Sequence, residues 1–295
     1  MSAGLIEGFQ QRRLPGDGLE IDALVGGNGP PLLLLHGWPQ TRMCWSRVAP
    51  ALAAHFTVVI PDLRGYGRSD KPEGSADHET YSKRAMARDQ IATMRALGFE
   101  RFDVGAHDRG ARVAYRLAFD HPETVTRLAS LDVIPTADMW ARMGAKEAVS
   151  AWHWSMLAQP DGLAEKLVGG DPEWFVRYIL AHQSAPGFIF PQDNLADYLA
   201  CARDPRSIHT WAEDYRAGWT IDRELDEKNR GWKLDMPLLM LWGERGTLKG
   251  RDGLEPWRAW AEQVEGEALP CGHFIPEEAP DAVIAHFTRF FGAAR

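Results

Sequence analysis

Apolar residues along the chain gather in short continuous runs, separated by turn-rich loops and by longer stretches with helical spacing, an alternation that predicts strands and helices in turn. Pro31-Leu-Leu-Leu-Leu35, Phe56-Thr-Val-Val-Ile60, Phe102 to Gly105, Leu128 to Leu131 and Pro237-Leu-Leu-Met-Leu-Trp242 each read as a strand with no polar side, the pattern of a parallel strand covered on both faces. A further strand-like piece precedes Pro31 within residues 19 to 35. Between the runs, helical spacing covers the region around Trp45 to His55, then Ser82 to Leu97 with Gly98 placed to stop it, and Ala111 to Phe119. Repeated β-α alternation predicts a mainly parallel, doubly wound sheet with helices on both faces. Residues of about 136 to 231 break the alternation: rich in Trp, Tyr and His, mainly helical and without a buried strand run, they read as a lid inserted into the α/β unit. The predicted division is therefore 1–135 and 232–295 as core and 136–231 as helical cap, and a lid implies an enclosed site.

Composition narrows the classes of partner. A chain of 295 residues fits one large domain or one domain with an insertion. The formal charge of −8, from 41 acidic against 33 basic residues, argues against a nucleic-acid partner, which would want a basic face. Three cysteines, Cys44, Cys201 and Cys271, are widely spaced and outside any C-x-x-C pattern, which fits neither a disulfide framework nor a zinc site and agrees with a reducing compartment. Met1 to Gly18 lacks the apolar stretch of a signal peptide, and the apolar runs are far below membrane-spanning length. A soluble cytoplasmic protein with no membrane partner is expected.

The chemistry gathers at the strand ends. Ala106-His107-Asp108-Arg109-Gly110 has the small-x-nucleophile-x-small form of a nucleophile elbow, a sharp strand-to-helix turn, with Asp where esterases and lipases place Ser. Such a turn lifts its central side chain above the strand ends and aims the positive end of the next helix at it. Near the C-terminus, Gly272-His273-Phe274 puts a histidine in a glycine-flanked loop before a final amphipathic helix. With Asp132 at a strand end, the order is nucleophile, acid, histidine. Glu244 also follows a strand terminus and is the rival acid.

His36-Gly37-Trp38-Pro39, the stretch from Asp62 to Ser69, His107-Asp108-Arg109-Gly110-Ala111-Arg112 and Gly272-His273-Phe274 together resemble the α/β-hydrolase branch of haloalkane dehalogenases, epoxide hydrolases and fluoroacetate dehalogenases. Within it, the His-Asp-Arg-Gly-x-Arg elbow, Trp152-His153-Trp154 and Glu213-Asp214-Tyr215-Arg216-Ala217 are most similar to fluoroacetate dehalogenases. The resemblance implies an α/β-hydrolase fold, a homodimer, and dehalogenation of a haloacid: Asp108 attacks carbon and expels halide, and water activated by His273, oriented by Asp132, opens the resulting ester. It also implies that Arg109 and Arg112, three residues apart on one helix face, hold the substrate carboxylate. His153, Trp154 and Tyr215 match the family's halide donors. Backbone N–H groups of Trp38 and Arg109 would stabilise the tetrahedral oxyanion. Gln183 stands where that family has a bulky tryptophan, Met139 near where an aromatic residue often lies, and Ala106 in place of glycine. The first two imply a wider pocket, which would favour chloroacetate, bromoacetate or a substituted haloacid over fluoroacetate.

Two other functions fit parts of the pattern. An epoxide hydrolase would share Asp108, the acid and His273 but needs cap acids to protonate the epoxide oxygen, for which Tyr215 with Tyr178 or Tyr198 could serve. Paired elbow arginines weigh against a neutral epoxide. A silent binding protein of this fold is disfavoured by the complete nucleophile, acid and base set. No metal, nucleotide or flavin motif is present, so the expected partners are a small haloacid and water, with no cofactor.

Overall fold

The computed structural model describes residues 4–292. The predicted outermost residues of the two core segments, 1–3 and 293–295, lie outside this range. Eight strands form one sheet: β1 (Gln10–Pro15), β2 (Glu20–Gly26), β3 (Pro31–Leu35), β4 (Thr57–Pro61), β5 (Phe102–His107), β6 (Val125–Leu131), β7 (Leu238–Gly243) and β8 (Val264–Leu269). Their order is β1-β2-β4-β3-β5-β6-β7-β8, antiparallel from β1 to β4 and parallel from there on. The strands read from continuous apolar runs are all present. Leu32, Leu33, Leu34 and Leu35 are fully buried, each worth about 1.5–3 kcal/mol relative to exposure.

Two edge strands were not read from the sequence. Strand β1, Gln-Gln-Arg-Arg-Leu-Pro, is exposed at all but Leu14, and β8, Val-Glu-Gly-Glu-Ala-Leu, fully buries only Leu269. Neither carries a continuous apolar run, because an edge strand is not covered on both faces. Their charged side chains also blunt the open sheet edges.

The chain steps from β3 outward to β4, then crosses back past β3 to β5. Right-handed crossovers taken in opposite directions place their connections on opposite faces of the sheet, and a crevice opens between the two strands where the direction reverses. The loops after β3 and β5, carrying Trp38 and Asp108, meet at that crevice. Among the described residues the segment between β6 and β7 has no strand; its helices, from Thr136–Ala141 to Ile221–Asn229, form the inserted cap. We propose 1–135, 136–231 and 232–295 as the domain limits. Buried polar links seat the cap on the core. Thr41 Oγ1 donates to Asp197 (2.6 Å), Tyr66 to Asp214 (2.6 Å) and Tyr115 to Asp226 (2.9 Å). No helix among the described residues is long and apolar enough to cross a membrane.

Candidate active site

Strand β5 ends at His107, the helix Arg109–Asp120 starts two residues later, and Asp108 makes the turn with φ 48° and ψ −120°. That conformation is unfavourable for a residue with a Cβ and is held by its surroundings. The elbow helix lies so close to β3 that a Cβ at Gly110 would meet the His36 carbonyl oxygen at 2.4 Å, which explains the small residue two positions after the nucleophile. His36 pins the facing loop: its Nε2 accepts from the Leu63 N–H (3.0 Å) and its Nδ1 lies 2.9 Å from the Gly37 carbonyl, so the proton sits on Nδ1.

The Trp38 N–H donates to Asp108 Oδ1 at 2.8 Å. Asp108 Oδ2 faces His273 Nε2 at 3.7 Å, and His273 Nδ1 meets Asp132 Oδ2 at 2.6 Å. Asp132, itself at φ 54°, also accepts from the N–H groups of Gly243 (3.1 Å) and Thr247 (2.9 Å) and from the Thr247 hydroxyl (2.8 Å). Glu244 is exposed and takes no part in this chain of contacts. Burial opposes the imidazolium, but the hydrogen bonds and charges of Asp108 and Asp132 outweigh it and raise the His273 pKa well above the ordinary value. Burial likewise opposes the Asp108 carboxylate, yet the His273 hydrogen bond and charge hold its pKa well below the usual range. The resting site is thus an ion pair.

A cavity of about 240 Å³ opens above Asp108, lined by Trp38, Arg112, His153, Trp154, Tyr215 and His273 among others. Gln183 and Met139, the two positions expected to widen it, both line it. His153 stacks on Trp38 (centroids 5.5 Å apart), and burial lowers its pKa to about 3, so the ring is neutral with one N–H to give. Burial raises the Tyr215 pKa well above the ordinary value, so its hydroxyl keeps its proton.

The two arginines part company. Arg112 lines the cavity with its guanidinium 4.5 Å from the Trp154 ring centroid, and Nη1 donates to the Ile134 carbonyl (3.1 Å) and the Thr136 hydroxyl (3.0 Å). No carboxylate pairs with it among the described residues, its Nε has no partner, and burial followed by the Arg109 charge lowers its pKa. Arg109, expected to share the substrate clamp, is tied to the cap and keeps one donor, Nη1, buried without a partner among the described residues. Its guanidinium ion-pairs with Asp214 on the cap helix Pro205–Trp219, with Nη2 on the Asp214 carbonyl (2.7 Å) and the Tyr215 ring 4.2 Å away. The buried Asp214 carboxylate, also held by Lys83 and Tyr66, needs the charge. Of the tyrosines weighed for epoxide opening, Tyr215 lines the cavity. Tyr178 is half-exposed, stacked on Trp174, and Tyr198 is buried against Glu277 (3.0 Å).

Two contributors escaped the sequence reading. His107 was quoted within the elbow but given no role; its Nε2 donates to the His273 carbonyl (2.9 Å). Thr247 helps hold Asp132 and lies in a loop without any motif. Among the described residues no group of three or more His, Cys, Asp or Glu is arranged to hold a metal ion.

Residues 30–280 match the family described as the alpha/beta hydrolase fold. The chain belongs to the α/β-hydrolase family. It is 43% identical over 293 residues to a fluoroacetate dehalogenase from Burkholderia sp, covering 99% of this chain and 96% of that protein. It is also 35% identical over 284 residues to a soluble epoxide hydrolase from Corynebacterium sp. (strain C12), covering 95% and 96%. A candidate epoxide hydrolase from Pseudomonas aeruginosa, solved as a mutant with bound MFA, superposes with a TM-score of 0.92 at 46% identity, covering 98% of this chain and 97% of that one. The α/β-hydrolase is thus related to proteins named for both reactions, and a hydrolytic mechanism built on Asp108 and His273 fits the fold and the geometry.

Proposed function

We propose that this α/β-hydrolase dehalogenates small haloacids, taking haloacetates to glycolate and halide. The observation that carries the reading is Arg112, a buried guanidinium without a carboxylate partner in the wall of the nucleophile's own cavity. A buried charge is costly unless paired, and an anionic substrate supplies the missing partner. Arg109, beside Tyr215 and with Nη1 unpartnered, adds positive potential and a second donor for the same carboxylate.

In this mechanism Asp108 Oδ1 stays on the Trp38 N–H while Oδ2 attacks the halogen-bearing carbon in line and the carbon–halogen bond breaks. His153, Trp154 and Tyr215 donate to the departing halide. The Asp108 charge vanishes in the ester, which removes one of the two carboxylates that keep His273 protonated. Once its proton is released to solvent, the one proton that accompanies the halide out, the imidazole draws another from water, and the water oxygen adds to Asp108 Cγ. The oxyanion forms at Oδ1, already on the Trp38 N–H, and the first N–H of the elbow helix, that of Arg109, is the second donor assigned to it in this reading. Collapse breaks the bond from Cγ to the alkyl oxygen, which takes the remaining proton of the added water and leaves as the alcohol, restoring the Asp108 carboxylate beside a protonated His273. Water is the only co-reactant. A homodimer is the assembly we infer from the resemblance.

Epoxide ring opening is the second reading, and the relatives' names favour it: several of the curated and structural relatives are called epoxide hydrolases. It would use the same Asp108 and His273, with Tyr215 as proton donor. Halide release from fluoroacetate and chloroacetate, measured beside diol formation from styrene oxide in wild type and Asp108→Asn, decides between them. Halide release lost in the variant supports dehalogenation, and chloride alone would mark a pocket opened by Gln183 and Met139. Diol without halide overturns it in favour of the second reading.

A further inference from the structure

The second half-reaction depends on where His273 is held, and beyond the side-chain bond to Asp132 its backbone is held too. Its backbone N–H donates to the Gln183 carbonyl at 2.9 Å, at the end of the cap helix Pro172–Gln183. Its own carbonyl accepts from His107 Nε2 and from the Ile275 N–H, both at 2.9 Å. The residues on either side are tied to one carboxylate: Gly272 N–H donates to Glu278 Oε2 and Phe274 N–H to Oε1, each at 2.8 Å. Glu278 Oε2 also accepts from the Ala185 N–H of the cap at 2.7 Å. Among the described residues no cation pairs with Glu278, so three backbone N–H groups, two from the histidine loop and one from the cap, answer its charge. The two segments touch main chain to main chain, since a Cβ at Gly272 would lie 2.4 Å from the Ala185 nitrogen and 2.7 Å from the Gln183 carbonyl oxygen.

We propose that Glu278 is a positioning residue for the general base: by clasping residues 272, 274 and 185 it seats the His273 loop on the end of the cap helix and sets the imidazole over the ester on Asp108. The inference rests on Asp108 and His273 acting as nucleophile and base, and it holds for a haloacid or an epoxide alike. Alkylation of Asp108 needs no proton removed by His273; hydrolysis does, with one water proton passing to Nε2 as the water oxygen adds to Cγ and the bond to the alkyl oxygen breaks. Loosening the loop therefore slows only the second step. In a two-step reaction with a covalent intermediate, a slower second step lowers kcat and KM together and leaves kcat/KM, set by alkylation, in place. A merely structural loss does the reverse, lowering kcat/KM with the fraction of folded enzyme.

The test compares wild type, Glu278→Gln, Glu278→Ala and His273→Asn on chloroacetate and on styrene oxide, using whichever the wild type turns over. Steady-state kinetics are read beside the alkylated fraction by intact mass. Gln keeps the volume and one acceptor oxygen, so it remains informative if the alanine variant folds poorly. Glu278→Ala should lose about 10- to 100-fold in kcat, the scale of a misplaced catalytic group, with KM falling in step and ester accumulating, and Glu278→Gln should lie between it and wild type. If His273→Asn accumulates ester and the Glu278 variants do not, the proposal is overturned while the nucleophile and base assignments stand. If none accumulates, the assignments fail and the proposal with them.

Discussion

Replacing Arg112 by methionine should remove activity on haloacetates and leave the protein as stable as before, or more so. Methionine follows the arginine side chain about as far as Nε and deletes the guanidinium with its charge. The bound carboxylate would lose two charge-assisted hydrogen bonds at about 1.5–3 kcal/mol each, or about two to four orders of magnitude in kcat/KM. For stability the terms run both ways. The variant leaves the Ile134 carbonyl without its donor, at about 1–3 kcal/mol, and loses a cation–π contact of about 0.5–2 kcal/mol. The Thr136 hydroxyl keeps its bond to Tyr115 Oη (2.8 Å), donating there while the tyrosine proton goes to Asp226. Against these stands relief from burying an unpaired guanidinium, which costs several kcal/mol. The assay is halide release from chloroacetate and from neutral chloroacetamide, with Tm by calorimetry. The anion-to-neutral ratio of kcat/KM should collapse about a hundredfold or more while Tm stays level or rises. An unchanged ratio would refute the assignment of Arg112 to the substrate carboxylate. A Tm fall of about 10 °C or more would show that the guanidinium serves the fold instead.

Three further outcomes follow from the same geometry. In Asp108→Asn the His273 imidazole loses one of the two carboxylates that raise its pKa, so an NMR titration should find that pKa lower than in wild type, and an unchanged value would undo the proposed switch from imidazolium to base. Glu277 is buried among Gln40, Asn194 and Tyr198, and burial, partly offset by their hydrogen bonds, pushes its carboxyl up to about 8. Because the folded value lies above the unfolded one near 4.5, its stabilising share is complete below about pH 4.5 and is lost as pH rises through about 8, at about 1.4 kcal/mol per pH unit; Glu277→Gln should flatten the urea-unfolding stability across that window. Tyr215→Phe should slow fluoroacetate more than bromoacetate, since the more basic fluoride gains more from a donor; equal losses, read by ion-selective electrode, would remove Tyr215 from the halide site.

Core strands and elbow were legible because each has a local cause. A doubly covered strand must be apolar throughout, and an elbow pressed against β3 needs small residues around its nucleophile. Strands β1 and β8 were not legible, because strands at the sheet edges follow no continuous apolar pattern. Asp108, Asp132 and His273 could be named from their places at strand ends and in a glycine-flanked loop, whereas the direction of Arg109 could not. That direction depends on Asp214, which lies 105 residues away on the cap. Glu278 and Thr247 were invisible for the same reason: what they do lies in contacts to backbone groups and to Asp132, and no residue spacing announces such contacts.

The central claim, an ester on Asp108 opened by water that His273 activates, is tested most directly by mass spectrometry of His273→Asn after incubation with chloroacetate. The account predicts intact protein heavier by one carboxymethyl group, and after digestion that mass on the peptide carrying Asp108. Protein of unchanged mass, from a variant whose wild-type parent releases chloride, would contradict it.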